Sequence, residues 1–263
     1  MDLQNICKQV EQVAALAGSY ISGEHETFQL SKIESKGKND FVSYVDKTSE
    51  KLIVEKLKAI LPQAGFITEE GTETSRGEIY NWIIDPLDGT TNFIHGLYPV
   101  AVSIALTENL KPVLGVIFEV GLKECFSAYK YGGAFLNGKP IEVSQKSSIA
   151  DSLIGTGFPY YDYSRQQKYI DSMAYLMQNS HGLRRLGSAA TDLAYIAAGR
   201  FDAFYEYSLH AWDVAAGAVI VEQAGGKISD FSGGDNWLFG GEIVASGKSL
   251  FNRFLDKISN FMN

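Results

Sequence analysis

The amino-acid sequence predicts a mixed chain, α+β in its first half and α/β in its second. Three observations carry that reading. Apolar residues recur at helical spacing in two early segments, 3–21 and 47–61. From Tyr80 to Val143, short apolar runs alternate with compact turns, the pattern of an antiparallel sheet. After about residue 150, strand and helix patterns alternate, so the second half reads as mixed α/β. The division falls at an α+β segment, 1–146, and an α/β segment, 147–263. No repeat, low-complexity tract or Pro/Ser-rich linker separates them, so a close interface is expected.

Each element has its own justification. Leu3, Ile6, Val10, Val13, Ala14, Ala17 and Ile21 share one face of the first helix. Lys47 to Leu61 forms the second, with Ile53, Leu57, Ile60 and Leu61 turned inward. Pro62 ends it, and Asp46 or Thr48 is the expected cap. The charged, glycine-containing stretch Glu34–Asn39 is expected to be a mobile loop. Gly65-Phe66-Ile67 reads as a strand running toward Glu69-Glu70, and Trp82-Ile83-Ile84 as a short strand stopped by Asp85-Pro86. Val100–Thr107 and Val113–Val120 flank a Glu-Asn-Leu-Lys-Pro turn as an antiparallel pair. Cys125–Tyr129 and Ala134–Leu136 extend that sheet through turns at Gly132-Gly133 and Asn137-Gly138.

In the second half Leu153–Thr156 is a strand and Gln166–Gln178 a helix. Ser188 caps a helix to Ala198 that Gly199 ends. Phe201–Tyr205 is the next strand. Asp213, placed at the N-cap, opens a helix to Gln223 that Gly225-Gly226 closes. Glu242–Ala245 is a strand, and Ser249–Phe261 an amphipathic terminal helix.

Charge narrows the function classes. With 31 Asp and Glu against 23 Lys and Arg, the formal charge is −8. A general nucleic-acid binder needs a basic face, and so does a protein of anionic membrane surfaces, so neither is expected. The longest apolar stretches, Tyr98–Leu106 and Val214–Val221, fall short of the roughly 20 residues that span a bilayer. The first residues carry no basic region followed by an apolar run, so a cytoplasmic protein without a membrane partner is expected. Cys7 and Cys125 lack any C-x-x-C spacing and are expected to be packed side chains. An acidic chain of this kind binds a phosphorylated molecule only if something positive mediates.

Residues 82–93, Trp-Ile-Ile-Asp-Pro-Leu-Asp-Gly-Thr-Thr-Asn-Phe, carry the most chemistry. A buried strand ends in Asp85, held extended by the proline that follows, and Asp88 comes three residues later. Gly89-Thr90-Thr91-Asn92 then offers backbone N–H groups and hydroxyls at what could open a short helix. Two carboxylates suit a hard cation, and exposed amides suit phosphate oxygens. An Asx-rich turn leaving a strand would use the same residue types. Further acids recur at element ends: Glu69-Glu70, Asp213 in Trp-Asp-Val-Ala-Ala-Gly, and Asp40 and Asp46 around Phe41–Val45.

As a set these segments resemble, end to end, the inositol monophosphatase family of Mg²⁺-dependent, lithium-sensitive phosphatases. Residues 82–93 fit the family's first signature, W-[IV]-[IV]-D-P-[IL]-D-G-T-T-N-F, without a departure. Trp212–Gly217, with Ala224-Gly225-Gly226 downstream, fits the second. Asp40-x-Val42-Ser43-x-x-Asp46 and Thr68-Glu69-Glu70 fit the flanking elements, with Ser43 where threonine is commoner. Gly133-Ala134-Phe135-x-Asn137-Gly138 and Gly187-Ser188-Ala189-Ala190 are also family-like.

The resemblance implies a layered αβαβα sugar-phosphatase fold, a homodimer, and two to three Mg²⁺ ions per site. Glu69, Asp85 and the Leu87 carbonyl would hold one ion, and Asp85, Asp88 and Asp213 a second; Glu69 would help place a third. Two dications about 4 Å apart repel by about 16 kcal/mol at an effective dielectric near 20, which clustered carboxylates offset. The implied reaction is hydrolysis of inositol-1-phosphate by metal-activated water. Glu69 and Thr90, with Asp46 behind Thr90, would orient and deprotonate the water. Gly89, Thr90 and Thr91 would cradle the phosphate, and Asp88, Ser188, Ala189, Glu206 and Asp213 would face the substrate's hydroxyls. The loop Gly155–Tyr163 resembles bacterial-type members. NADP(H), fructose-1,6-bisphosphate and 3′-phosphoadenosine 5′-phosphate remain alternative substrates, and a partner-binding regulator that keeps the fold is the alternative class. Four of the acids behind the −8 would then serve cations, which supply the positive mediator.

Other signals are set aside. Neither Gly133–Lys139, followed by Pro140, nor Gly241–Ser249, with five residues between its glycines, is a P-loop. His25, His95, His181 and His210 show no zinc-ligand spacing, though His95 and His210 lie near the signatures. Arg184-Arg185, a small basic spot before the Gly-Ser helix start, reads as a surface pair, with a second phosphate or a neighbouring subunit as its alternative partner.

Overall fold

The computed structural model describes residues 1–25, 33–37 and 40–263. The helical spacing of the first segment yields α1 (Leu3–His25), with Val10, Ala14, Ala17 and Ile21 sealed from solvent. β1 (Ile33–Gly37) and β2 (Asp40–Ser43) form an antiparallel hairpin. Residues 34–37 of the expected loop are therefore strand, and 38–39 lie outside the described residues. A short polar strand has no apolar alternation to announce it. α2 (Tyr44–Ile60) begins three residues before its expected start, because Val45 buries fully and extends the apolar face. Asp46 thus sits inside the first turn, buried, and neither it nor Thr48 is the cap.

Seven strands follow in one sheet: β3 (Gly65–Thr68), β4 (Tyr80–Asp88), β5 (Ala101–Glu108), β6 (Lys111–Glu119), β7 (Glu124–Tyr129), β8 (Gly133–Leu136) and β9 (Lys139–Pro140). They lie in chain order; β3 runs parallel to β4 and every other neighbour pair is antiparallel. The short α3 (Thr90–Ile94) leaves the end of β4.

The second half contributes β10 (Leu153–Thr156), α4 (Gln166–Asn179), β11 (Gly182–Arg184), α5 (Ala189–Ala197), β12 (Ala203–Tyr207), α6 (Ala211–Gln223), β13 (Gly226–Ser229), β14 (Glu242–Gly247) and α7 (Lys248–Met262). Its sheet has the order β11-β10-β12-β14-β13. β10 is parallel to both neighbours, whereas β14 is antiparallel to β12 and β13.

Strand alternation sorts the apolar residues into three cores. Trp82, Ile84, Val102 and Ile104 face α1 and α2, while Ile83, Ala101 and Ala105 face α5 and α6. Phe204, Ile243 and Ala245 face α5 and α6 from the other side, and Ala203, Tyr205 and Val244 face α4 and α7. The result is five layers, helix–sheet–helix–sheet–helix, with α5 and α6 in the middle. The middle layer sits close. A Cβ on Gly115 of β6 would lie 2.3 Å from the Ala216 carbonyl oxygen of α6, so only glycine admits this approach.

Candidate active site

β4 does not stop at Asp85-Pro86 but continues to Asp88. Asp85 pairs with Ser103 and Asp88 with Ala101, so one extra residue is accommodated in a bulge. Pro86 has no N–H to give a ladder, and a bulge is where a strand tolerates it. The extra residue has a chemical consequence: positions three apart, normally on opposite faces, can meet on one side. Carboxylate oxygens of Asp85, Asp88 and Asp213 all lie within 4.8 Å of one another.

Each acid is held from its own element. The Leu87 N–H donates to Asp85 Oδ1 at 2.9 Å, and Ser49 Oγ of α2 donates to the Pro86 carbonyl at 3.1 Å. Asp88 Oδ2 accepts from Ser188 Oγ at 2.6 Å and from the Ala190 N–H at 2.8 Å, both at the start of α5. Ser188 also caps that helix as expected, accepting from the Thr191 N–H. Asp213 lies one turn inside α6 rather than at its N-cap, which is His210. The His210 ring stacks on Trp212, with centroids 4.6 Å apart, and the His210 N–H donates to Asp213 Oδ2 at 2.6 Å. The helix therefore starts two residues earlier than its apolar run suggests.

Two further bonds join the two halves here, from Asn92 to Leu186 and from Ser103 to Trp212. Asn92 Nδ2 donates to the carbonyls of Pro99 and Leu186 at 2.9 and 2.8 Å. Ser103 Oγ donates to the Trp212 carbonyl at 3.1 Å, fixing the start of α6 against the larger sheet. Gly89, at φ 94°, turns the chain from β4 into α3 in a conformation that favours glycine. Thr90 Oγ1 then lies 3.1 Å from both Asp46 Oδ1 and the Leu87 carbonyl, either of which can accept its proton.

The electrostatics are those of crowded, dry carboxyls. Burial pushes Asp85 well above the usual carboxylate range, and the charges of Glu69, Asp88 and Asp213 push it further. A side-chain hydrogen bond joins Glu69 to Asp85. Asp213 is pushed up to about 8 by burial and then by Asp88. Asp88 rises to about 6 by burial, held back by Ser188, Ala190 and the Arg185 guanidinium. Glu206 and Asp192 are also raised well above the ordinary range, by burial first. Oxygen-only donors that resist ionising together fit a hard divalent cation, whose charge would remove the conflict.

These groups line one cavity of about 240 Å³. Of the sequence-predicted site residues, Glu69, Asp85, Leu87, Asp88, Gly89, Thr90, Thr91, Ser188, Ala189, Glu206 and Asp213 all line it. Asp46 stands behind Thr90 instead. The side chains of Asp40 and Ser43 lie outside the described residues. Arg184 and Arg185 part company: Arg184 is exposed, whereas Arg185 lines the cavity and donates to the Tyr160 hydroxyl. His210 lines the cavity and His95 does not. Sequence reasoning missed Asp192, a cavity-lining acid whose one signal is its place in the apolar run Ala-Ala-Thr-Asp-Leu-Ala.

Comparison with known proteins identifies the family. The model of the inositol monophosphatase family matches residues 2–262. An inositol-1-monophosphatase of Mesorhizobium japonicum is 40% identical over 94% of this chain and 92% of its own length. A protein of Pseudomonas aeruginosa named Nus factor SuhB is 40% identical over 94% and 93%. Among solved structures, the extragenic suppressor protein suhB of Bartonella henselae superposes with a TM-score of 0.89 at 36% identity, covering 98% of each chain. An IMPase of Thermotoga maritima superposes with a TM-score of 0.86 at 31% identity, covering 95% of each. The chain belongs to the inositol monophosphatase family.

Proposed function

We propose that the chain is a Mg²⁺-dependent phosphomonoesterase whose leading substrate is inositol-1-phosphate. The observation that carries this reading is the acidic cluster of Asp85, Asp88 and Asp213 opening onto the same cavity as the Thr90–Asp46 pair. On this reading residues 1–146 supply Glu69, Asp85, the Leu87 carbonyl and Asp88. Residues 147–263 complete the site with Asp213, Ser188, Ala189 and Glu206. When bound, two to three Mg²⁺ ions supply Lewis acidity toward the phosphate and acidify water for attack on phosphorus.

The chain's own groups do the rest. Thr90 Oγ1 would take a proton from the attacking water while passing its own to the carboxylate of buried Asp46. Glu69 accepts from the same water on its other side. The Gly89 and Thr90 N–H groups, with the Thr91 hydroxyl, orient the phosphate oxygens. Ser188 and the Ala190 N–H hold Asp88 still, and Glu206 and Ala189 meet the leaving alcohol. Lithium inhibition and a homodimer belong to the same reading.

The test is phosphate release from inositol-1-phosphate, with fructose-1,6-bisphosphate, NADP(H) and 3′-phosphoadenosine 5′-phosphate in parallel, with and without Mg²⁺. Asp85→Asn should lower kcat by roughly a thousandfold, the scale of losing several kcal/mol of charge stabilisation. Undiminished turnover in that variant would falsify the metal assignment. A second reading rests on a different observation. A relative 40% identical over nearly the whole chain is named a Nus factor, so a partner-binding role beside or instead of catalysis is the competing proposal. An Asp85→Asn chain that rescues a strain lacking the gene would favour it.

A further inference from the structure

Asp192 sits in the first turn of α5 and is 1% exposed, yet it lines the cavity. Its Oδ1 has no hydrogen-bond partner. A buried carboxyl left unsatisfied costs free energy that an alanine or leucine in the same helix would not. The surrounding helix is built of such residues, Ala189, Ala190, Leu193 and Ala194 among them. Packing therefore gives no reason for an acid here, and helix capping gives none, since Ser188 already caps.

Its neighbours narrow the ligand. Glu206, 6% exposed, lines the same cavity, and its carboxyl lies so close over Gly157 that a Cβ there would fall 1.9 Å from Oε1. Asp192, Glu206 and Asp88 make a wall of acceptors. Among the described residues Arg185 is the one Lys or Arg lining the cavity, but its guanidinium is engaged, 5.1 Å over the Phe158 ring and bonded to the Tyr160 hydroxyl. An additional phosphate on the leaving group would bring a second charge to these buried carboxyls, with no unengaged cation among the described lining residues to neutralise it. Neutral hydroxyl groups would satisfy the wall, since each can donate to a carboxylate.

The geometry points to Asp192 as a second hydroxyl-accepting specificity residue beside Glu206, selecting a phosphomonoester whose leaving group is an uncharged polyol. The inference rests on the phosphatase reading and deepens it. An acid kept for a ligand and not for the fold should give two effects when removed. Binding of the polyol weakens, and the empty protein becomes more stable.

The experiment compares the wild type with Asp192→Ala and Asp192→Asn in the Mg²⁺-loaded enzyme. The substrates are inositol-1-phosphate and p-nitrophenyl phosphate, a monoester without neighbouring hydroxyls. The ratio of their kcat/KM values should fall by about tenfold in Asp192→Ala and less in Asp192→Asn, which keeps one acceptor. Most of the fall should come from KM for inositol-1-phosphate. Asp192→Ala should melt about 3 °C higher without substrate. A ratio within twofold of the wild type, or an Asp192→Ala chain that melts lower, overturns the inference. So does a wild type that prefers p-nitrophenyl phosphate, which leaves the phosphatase reading intact. A wild type inert toward both esters sinks that reading, and this inference with it.

Discussion

Removing divalent cations should turn the acidic cluster into a pH-dependent liability whose size follows from the raised carboxyl values. Asp213 is pushed up to about 8, so it keeps its proton in the cation-free folded chain near pH 6, and Asp85 is raised in the same direction. Unfolding releases the Asp213 proton, because an unfolded aspartate titrates near 4. With the folded value raised, the stabilising contribution is complete below about pH 4 and is lost as pH climbs through the folded value. Asp213 alone costs about 1.4 kcal/mol per pH unit. For 263 residues the unfolding entropy is about 0.55 kcal/mol per kelvin, which makes this about 2.5 °C of Tm per pH unit. Asp85, and Asp88 at about 6, add to the slope with the same sign. Saturating Mg²⁺ ionises these acids in the folded state and removes their share of the slope. The assay is thermal unfolding from pH 5 to 7 in chelator and in excess Mg²⁺. The stabilisation by Mg²⁺ should widen by at least about 2.5 °C per pH unit. Parallel curves would refute the crowding of Asp85 and Asp213.

Two other perturbations probe the scaffold. Ser188→Ala removes the 2.6 Å bond to Asp88 Oδ2 and the cap of α5. It should cost about 1 kcal/mol of stability and, through a misaimed Asp88, about tenfold in kcat/KM; denaturant melts and initial rates check both. Gly115→Ala drives a Cβ to 2.3 Å from a backbone oxygen of α6. It should destabilise by about 1–3 kcal/mol and weaken Mg²⁺ binding, as titration calorimetry would show.

Much of this was readable from residues because local chemistry and tertiary role coincide. Gly-Phe-Ile, Val100–Thr107 and Ser188–Ala198 signal their own structure and need little from neighbours to adopt it. Where the reading failed, a partner distant in the chain decided. Pro86 looked like the end of a strand because the bulge that accommodates it exists only against Ser103 and Ala101 on β5. Asp213 looked like a cap because nothing local says that His210 stacks on Trp212 and takes that place. Arg185 looked like half of a surface pair because its partners, Phe158 and Tyr160, lie on a loop 25 residues away or more. The cavity acids were legible only as a family pattern; their spacing along the chain, from 69 to 213, carries no geometry by itself. Asp192 had the weakest signal, a single acid in an apolar helix, since burial without a partner is visible only in three dimensions.

The placement of α5 and α6 between the two sheets has a consequence for how the protein is made. Glu69, Asp85 and Asp88 leave the ribosome more than a hundred residues before Asp213, and until α5 and α6 arrive neither of the helices that pack on the inward face of the larger sheet is present. During that interval the early acids are wet, mutually screened and inexpensive to keep charged. Drying and crowding begin only when the Asn92 and Ser103 bonds close onto Leu186 and Trp212. The acidic cluster is thus a late product of folding, and the supply of divalent ions bears on the last step of maturation more than on the first.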